Sequence, residues 1–302
     1  MTQLRVGVDL GGTKTEIIVL SGASEELYRK RIATHRDDYP RTLNDIEMLL
    51  NEAEAAVGVA NIPLGLGIPG TVSRKTGRVK NANSTWLNGQ PLQKDLSAQL
   101  KRQVLVTNDA NCLAVSEATD GAGAGYDFVF AAVLGTGCGG GVCYRAAPLA
   151  GPNGVGGEWG HNPLPWTCSA QLNARPCYCG RYGCQETFVS GTGLAETYRL
   201  ATGNTLSGAQ IIAASEAGEA TAERVVDSYM EHLARAFAGV INVLDPDVIV
   251  LGGGASNIGA IYRELPKRLP HYVFGGECDT PIVPAQHGDS SGVRGAAWLH
   301  PL

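Results

Sequence analysis

Apolar and polar positions alternate along the chain with two different periods, and the alternation predicts strands and helices in turn. Residues 4–20, LRVGVDLGGTKTEIIVL, are two apolar runs interrupted by Gly-Gly-Thr-Lys, which predicts a β-hairpin whose tip exposes backbone. From Pro40 to Val57 the positions Leu43, Ile46, Leu50, Ala53 and Val57 recur at helical spacing, and LGLGIPG then reads as a strand. An Asn- and Gly-rich loop covers residues 73–90. Beyond it Leu92, Leu96, Leu100 and Val104 fit one helix face, VLVT forms a short strand ending at Asn108-Asp109, and a helix follows over residues 110–119.

The stretch DFVFAAVLGTGCGGGVCYRAAPL repeats the opening device of strand, Gly-Thr turn and strand, so that Gly12-Thr13 and Gly135-Thr136 lie 123 residues apart. The chain reads as two related halves. Residues 151–191 are irregular and rich in Gly, Pro, Trp and Cys. Val226, Tyr229, Leu233, Phe237, Val240, Ile241 and Leu244 mark a long helix, DVIVLGGG a buried strand, HGDSSG a turn and VRGAAWLH a closing helix. Strands alternating with helices in a chain of 302 residues predict α/β architecture in two domains.

Composition narrows the function classes. Lys plus Arg number 24 against 29 Asp plus Glu, a net charge of −5, so no global positive field gathers nucleic acid. No apolar run approaches the roughly 20 residues of a membrane span, and the polar, Gly-rich start does not read as a signal peptide. The expectation is a cytoplasmic protein with no membrane and no nucleic-acid partner. Glycine is abundant at 40 residues, gathered in GG, GTG and GGG clusters rather than spread as a linker. Such clusters let backbone approach a ligand.

Asp9-Leu10-Gly11-Gly12-Thr13-Lys14 is the first such cluster, where backbone amides can meet phosphate oxygens; a tight hairpin turn is the plainer reading. A second loop, Gly135-Thr136-Gly137-Cys138-Gly139, and a third, Leu251-Gly252-Gly253-Gly254 at a strand end, shift the balance toward a nucleotide. Three loops supply two phosphate contacts and a seat for base or ribose. None matches a P-loop or a dinucleotide fingerprint. Asn108-Asp109 at a strand end can be a helix N-cap, or Asp109 can take a proton from an attacking hydroxyl.

Eight cysteines divide into a group at 177, 179 and 184 and five scattered ones. Cys177, Cys179 and Cys184 with His161 make three thiolates and one imidazole, a closed tetrahedral set for structural Zn2+; free thiols in a loop are the alternative. His35, His287 or Cys168 can compete with His161 for the fourth place. Cys112, Cys138, Cys143 and Cys278 read as buried small side chains. Glu158 and Glu186 flank the loop as candidate acceptors for sugar hydroxyls, or as two solvated acids.

DLGGTK, NDANC, LGTGCGGG, GGEWGH, CYCGRYGCQE and VLGGG stand in the order seen in ROK sugar kinases, and the chain resembles that family over nearly its whole length. NANSTWLNGQPL and GHNPLPW look more like its manno(fructo)kinase or fructokinase branch. The resemblance implies an actin-like, hexokinase-type fold with two α/β domains, each on a mixed five-stranded sheet, around a central cleft. The smaller would take residues 1–118 and the closing helix 290–302, the larger residues 119–289 with the zinc loop.

The resemblance also implies the roles. Asp109 would be the general base; Asn108, Glu158, His161 and Glu186, with Asn83, would hold the sugar, so that His161 serves zinc and sugar together. Asp9 would position Mg2+ through water. Gly11, Gly12, Thr13, Lys14, Gly135, Thr136, Gly137 and Gly139 would surround the ATP phosphates, with Gly253 and Gly254 near the adenosine. Fifteen residues separate His161 from Cys177, longer than in many members. The expected reaction is ATP-dependent phosphorylation of a hexose at O6, fructose before mannose, with glucose or N-acetylglucosamine as the alternative substrate. Family members are often homodimers. A sugar-responsive repressor would need a DNA-binding extension, and the first phosphate-loop strand begins near residue 4; a silent sugar sensor has nothing to motivate it, since Asp109 and all three loops are present.

Overall fold

The computed structural model describes residues 3–300; residues 1–2 and 301–302, at the ends of the segments expected to build the smaller domain, lie outside them. The first half runs β1 (Arg5–Leu10), β2 (Lys14–Leu20), β3 (Glu26–Ala33), α1 (Tyr39–Val57), β4 (Leu64–Ile68), the short hairpin β5 (Thr71–Val72) and β6 (Val79–Lys80), α2 (Leu92–Gln99), β7 (Val104–Asn108) and α3 (Asp109–Asp120). Then come β8 (Phe128–Leu134), β9 (Cys138–Tyr144), β10 (Ala147–Pro148), α4 (Ser169–Asn173), α5 (Glu186–Val189), α6 (Gly191–Thr202), α7 (Gly208–Glu216), α8 (Ala220–Leu244), β11 (Val248–Gly252), α9 (Gly259–Arg268), β12 (Ile282–Pro284) and α10 (Ser291–Ala297).

Two five-stranded sheets result, in the orders β3-β2-β1-β4-β7 and β10-β9-β8-β11-β12. In the first, β1 pairs antiparallel with β2 and parallel with β4, from Arg5 opposite Leu20 to Leu10 opposite Thr15. In the second, β11 runs parallel to both β8 and β12. Both sheets place their strands in one and the same sequence order. The faint repeat at Gly12-Thr13 and Gly135-Thr136 therefore marks the turn between the first two strands of each sheet. Compact units form from Met1–Asp127, Gly141–Gly157 and Gln286–Leu302, and from Phe128–Gly140 and Glu158–Ala285. No helix among the described residues is long and apolar enough to cross a membrane.

In the first unit Val6, Val8, Leu64 and Leu66 join Ile46, Leu49, Leu50 and Ala53 of α1 in one buried cluster. The side chain of Asp38 caps α1 by accepting from the Arg41 amide, and Gly58 ends it in a left-handed conformation. Because successive strand residues face opposite ways, Gly7 turns to the other side of β1. A Cβ there would stand 2.1 Å from the Val293 carbonyl oxygen. Gly65 meets the Ala296 carbonyl in the same way, so α10 lies flat on strand backbone.

Several sequence expectations change at this level. Val104 opens β7 instead of extending a helix face: α2 stops at Gln99, and Lys101 takes φ 51°, a left-handed conformation that ends a helix however regular the leucine spacing. Only the spacing continued. The edge strand β3, ELYRKRIA, gave no apolar signal, since every residue in it is half-buried or exposed. The irregular stretch holds short helices α4 and α5, and the closing helix ends at Ala297 rather than running to residue 300. Within α8, Tyr229, Leu233, Phe237, Val240 and Ile241 are buried, while Val225 rather than Val226 faces the core.

Candidate active site

In the first unit, Asp9 sits next to last in β1, where the strand runs into the Gly11-Gly12 turn. The turn is tied by the Gly11 amide donating to the Lys14 carbonyl at 2.9 Å. Thr34, for which the sequence carried no signal, anchors it from the edge: its amide donates to the Thr13 carbonyl at 3.0 Å and its hydroxyl to that of Gly11 at 2.9 Å. Asp9, Gly11, Thr13, Lys14, Glu16 and Arg31 line a small cavity of about 230 Å3. Burial, then the charges of Asp109 and Glu16, push the Asp9 carboxyl up to about 7, against the pull of Arg31. A carboxyl raised by burial and by neighbouring acids in this way makes a place that a cation relieves.

Asn108 and Asp109 stand at the junction of β7 and α3. The Asn108 side-chain oxygen accepts from the Ala110 amide at 2.9 Å and Asp109 Oδ1 accepts from the same amide at 2.8 Å, so both residues of the pair satisfy the free end of α3, Asn108 as its N-cap. Asp109 is the first residue of α3, where the free amides and the helix dipole favour a carboxylate. Asn83 is exposed in the loop after β6, its amide donating to the Pro69 carbonyl at 3.1 Å.

In the second unit the Gly135–Gly137 turn joins β8 to β9. Its Gly135 carbonyl accepts from the Gly191 amide at 2.8 Å, and its Thr136 carbonyl from the Thr192 hydroxyl at 2.7 Å. Gly253, at φ 79°, would carry a Cβ only 2.7 Å from the Leu134 carbonyl, so the end of β11 lies directly beside that turn. The second and third glycine loops thus meet. They line a cavity of about 790 Å3 with Thr136, Leu194, Ser207, Ile212, Gly254 and Asn257, within the range of small-molecule sites. The walls from α6 and α7 escaped the sequence reading, although SGTG at 190–193 repeats the glycine pattern of the other loops.

Glu186 opens α5 beneath the same turn. Its Oε2 accepts from the Cys138 amide at 2.9 Å and stands 2.7 Å from where a Gly137 Cβ would be, so a larger residue at 137 would push this carboxylate aside. Burial, then Glu186 and Glu158, raise the Cys138 thiol, which places both acids around this turn. Glu158 begins the turn that carries His161. Trp159 fixes that turn: its indole stacks on Phe237 at 5.0 Å and donates to the Gly139 carbonyl at 2.8 Å.

The donor atoms of His161, Cys177, Cys179 and Cys184 all lie within 4.8 Å of one another. Cys177 Sγ is 3.6 Å from His161 Nδ1, and Cys179 Sγ 3.6 Å from Cys184 Sγ, close to the edge of about 3.8 Å of a tetrahedron with 2.3 Å zinc–sulfur bonds. A turn in which the Cys177 amide donates to the Arg181 carbonyl at 2.8 Å folds the loop back on itself. The competing ligands point elsewhere: His35 to Asp45, His287 to Asp120 and Cys168 to Gln171. Cys112, Cys138 and Cys143 are buried, whereas Cys278 is only half-buried, a correction to its expected place in the core. The remaining nitrogen of His161, Nε2, lies 3.0 Å from the Tyr178 hydroxyl.

Two five-stranded sheets in one strand order, each with a glycine turn after its first strand, define an actin-like sugar kinase of the hexokinase type. The chain belongs to the ROK family, whose model matches residues 5–301. An N-acetyl-D-glucosamine kinase of Yersinia pseudotuberculosis is 41% identical over 298 residues, 97% of this chain and 98% of that one. The ROK hexokinase of Thermus thermophilus superposes with a TM-score of 0.86 at 29% identity, covering 98% of this chain and 97% of the other. A ROK family glucokinase of Streptomyces griseus, solved with glucose and AMPPNP, gives 0.74 at 27% identity over 97% and 98%.

Proposed function

We propose that the protein transfers the γ-phosphoryl group of ATP to the 6-hydroxyl of a hexose. The observation that carries the reading is Asp109, held at the start of α3 in the same unit as Asp9 and its glycine turn. Asp109 takes the O6 proton as O6 bonds to the γ-phosphorus and the bond to the departing ADP oxygen breaks. Asp9 would hold a hydrated Mg2+ at the glycine turn, and the ion would supply positive charge against the phosphates. Gly11, Gly12, Thr13 and Lys14, and Gly135, Thr136, Gly137 and Gly139, are the turns proposed to present backbone to the phosphates. The 790 Å3 cavity beside Gly253 and Gly254 takes the adenosine.

Asn83, Asn108, Glu158, His161 and Glu186 are the side chains proposed to hold the sugar hydroxyls. His161, Cys177, Cys179 and Cys184 fit a structural Zn2+, since four protein donors leave no place for reactive water. The relatives' names favour N-acetylglucosamine, the alternative in the sequence reading, ahead of fructose and mannose, which rest on the motifs NANSTWLNGQPL and GHNPLPW.

The test is a coupled ADP-release assay with ATP and Mg2+ against N-acetylglucosamine, glucose, fructose, mannose and N-acetylmannosamine. Asp109→Asn serves as the control; its kcat should fall by about three orders of magnitude or more with the fold intact. Turnover of no hexose by zinc-loaded protein would overturn the reading, and near-normal turnover by the variant would remove Asp109 from its role.

A further inference from the structure

Arg175 stands between α4 and the cysteine loop and is only 6% exposed. The partners of its guanidinium are all neutral. Nη1 donates to the Thr187 carbonyl at 3.0 Å and to the Gly193 carbonyl at 3.4 Å, and Nη2 donates to the Thr197 hydroxyl at 2.7 Å. The guanidinium lies over the Phe188 ring, 4.8 Å from its centroid. Desolvation makes a buried cation with no carboxylate against it a poor source of stability. What the planar fork supplies is direction, since one group holds several acceptors in fixed relation.

Those acceptors sit at one corner of the second unit. Thr187 follows Glu186 on α5, while Gly193 and Thr197 belong to α6. The helices meet at backbone contact, because a Cβ on Gly193 would stand 2.8 Å from backbone atoms of Thr187 and Phe188. The residues joining the helices carry the bonds to the glycine turn: the Gly191 amide to the Gly135 carbonyl and the Thr192 hydroxyl to the Thr136 carbonyl. Ser190 closes the corner by donating its hydroxyl to the Glu186 carbonyl at 2.7 Å. On its other side, the Arg175 carbonyl accepts from the Gly183 amide at 2.8 Å, beside Cys184. The backbone of Arg175 therefore belongs to the cysteine loop and its side chain to the α5–α6 corner.

On the hexose-kinase reading, we infer that Arg175 is a positioning residue, its guanidinium fixing the corner that presents Glu186 to the sugar and anchors the Gly135–Thr136 turn for the ATP phosphates. The cysteine loop then supports the nucleotide as well as the sugar. A lysine would bring charge without the fork, and a single ammonium cannot span both helices while lying on Phe188. Arg175 also lines a cavity of about 320 Å3 with Thr187, Gly193 and Glu196, so a free guanidinium ion can reach the space that Arg175→Ala leaves.

Calorimetric titration of the zinc-loaded full chain tests this, with a non-hydrolysable ATP analogue alone and then with N-acetylglucosamine or glucose in its presence. Arg175→Ala should raise the dissociation constants of the analogue and of any sugar that binds, each about tenfold, with zinc content and circular dichroism matching the wild type. Guanidinium chloride at a non-denaturing concentration should restore much of both, and sodium chloride at the same ionic strength should not. Arg175→Lys should keep most of the loss. Thr197→Val, which leaves the arginine and removes one acceptor, should weaken binding of the analogue less but in the same direction, and it carries the test if Arg175→Ala does not fold. Unchanged constants for the analogue in the folded variants overturn the inference alone. So does weakened binding that guanidinium does not restore, or loss of zinc from Arg175→Ala, since either makes the arginine a structural part of the loop. Binding of neither nucleotide nor sugar by the wild-type protein overturns the hexose-kinase reading, and the inference falls with it.

Discussion

The carboxylate of Glu186 is bonded to the backbone amide of Cys138 at 2.9 Å, and this one contact joins a proposed sugar ligand to the turn proposed to carry phosphate. A single oxygen serves the backbone; the other is left for a ligand. Glu186→Ala should therefore raise KM for both the sugar and ATP, each by about tenfold, whereas loss of a pure sugar ligand would move only the first. Steady-state kinetics with each substrate varied in turn distinguishes the two patterns.

Removal of one metal ligand should be felt away from the metal. Cys179 is the exposed member of its group, so Cys179→Ser makes a near-isosteric change without a core defect. Zinc content measured by plasma emission should fall from one per chain toward zero, and KM for the sugar should rise by an order of magnitude or more as the loop carrying Tyr178 and leading to Glu186 loosens. Full zinc content with unchanged sugar kinetics would refute the site.

Gly254 has open space where a Cβ would be and lines the 790 Å3 cavity. Gly254→Leu should fill part of that space without a backbone clash. KM for ATP should rise about tenfold or more while KM for the sugar changes little. A circular dichroism spectrum matching wild type completes the measurement.

His232 of α8 lies edge-on against Phe188, its Nδ1 without a hydrogen-bond partner among the described residues, and burial, then the charges of Arg235 and Arg175, push it down to about 4. The unfolded chain, with an imidazole near 6.5, binds the proton that the folded chain refuses, so this group's contribution to stability is complete above about pH 6.5 and is lost as pH falls toward 4. The slope reaches about 1.4 kcal/mol per pH unit in that window. Thermal melts of wild type and His232→Leu at pH 7 and pH 5 should show the acid-induced drop in Tm shrink in the variant.

Legibility in the sequence followed the local physics of each element. β1, β2, β8 and β11 are nearly all buried, so their apolar runs announced them, and glycine turns that must bare their backbone were equally plain. The edge strand β3 pairs through backbone while its side chains are polar, and nothing in ELYRKRIA says so. Val104 shows the reverse error, a spacing of four that persisted past Lys101 although the chain there had left the helix. Asp109, Glu186 and the four metal-donor residues were visible as residue types at suggestive intervals. Thr34, the α6–α7 wall and the bond between Tyr178 and His161 were not, because each depends on segments far apart in sequence or on a side-chain direction that no interval encodes.

The contact of α10 with β1 and β4 has a further consequence in time. The carbonyls of Val293 and Ala296 lie against Gly7 and Gly65, so the sheet that includes β1 and β4 cannot cover one of its faces until residues near 297 have left the ribosome. All of the second compact unit, which ends at Ala285, is translated before that. During synthesis the second unit can therefore fold while the first still shows an uncovered strand surface. That interval, rather than the finished molecule, is when the nascent chain most needs shielding from its neighbours.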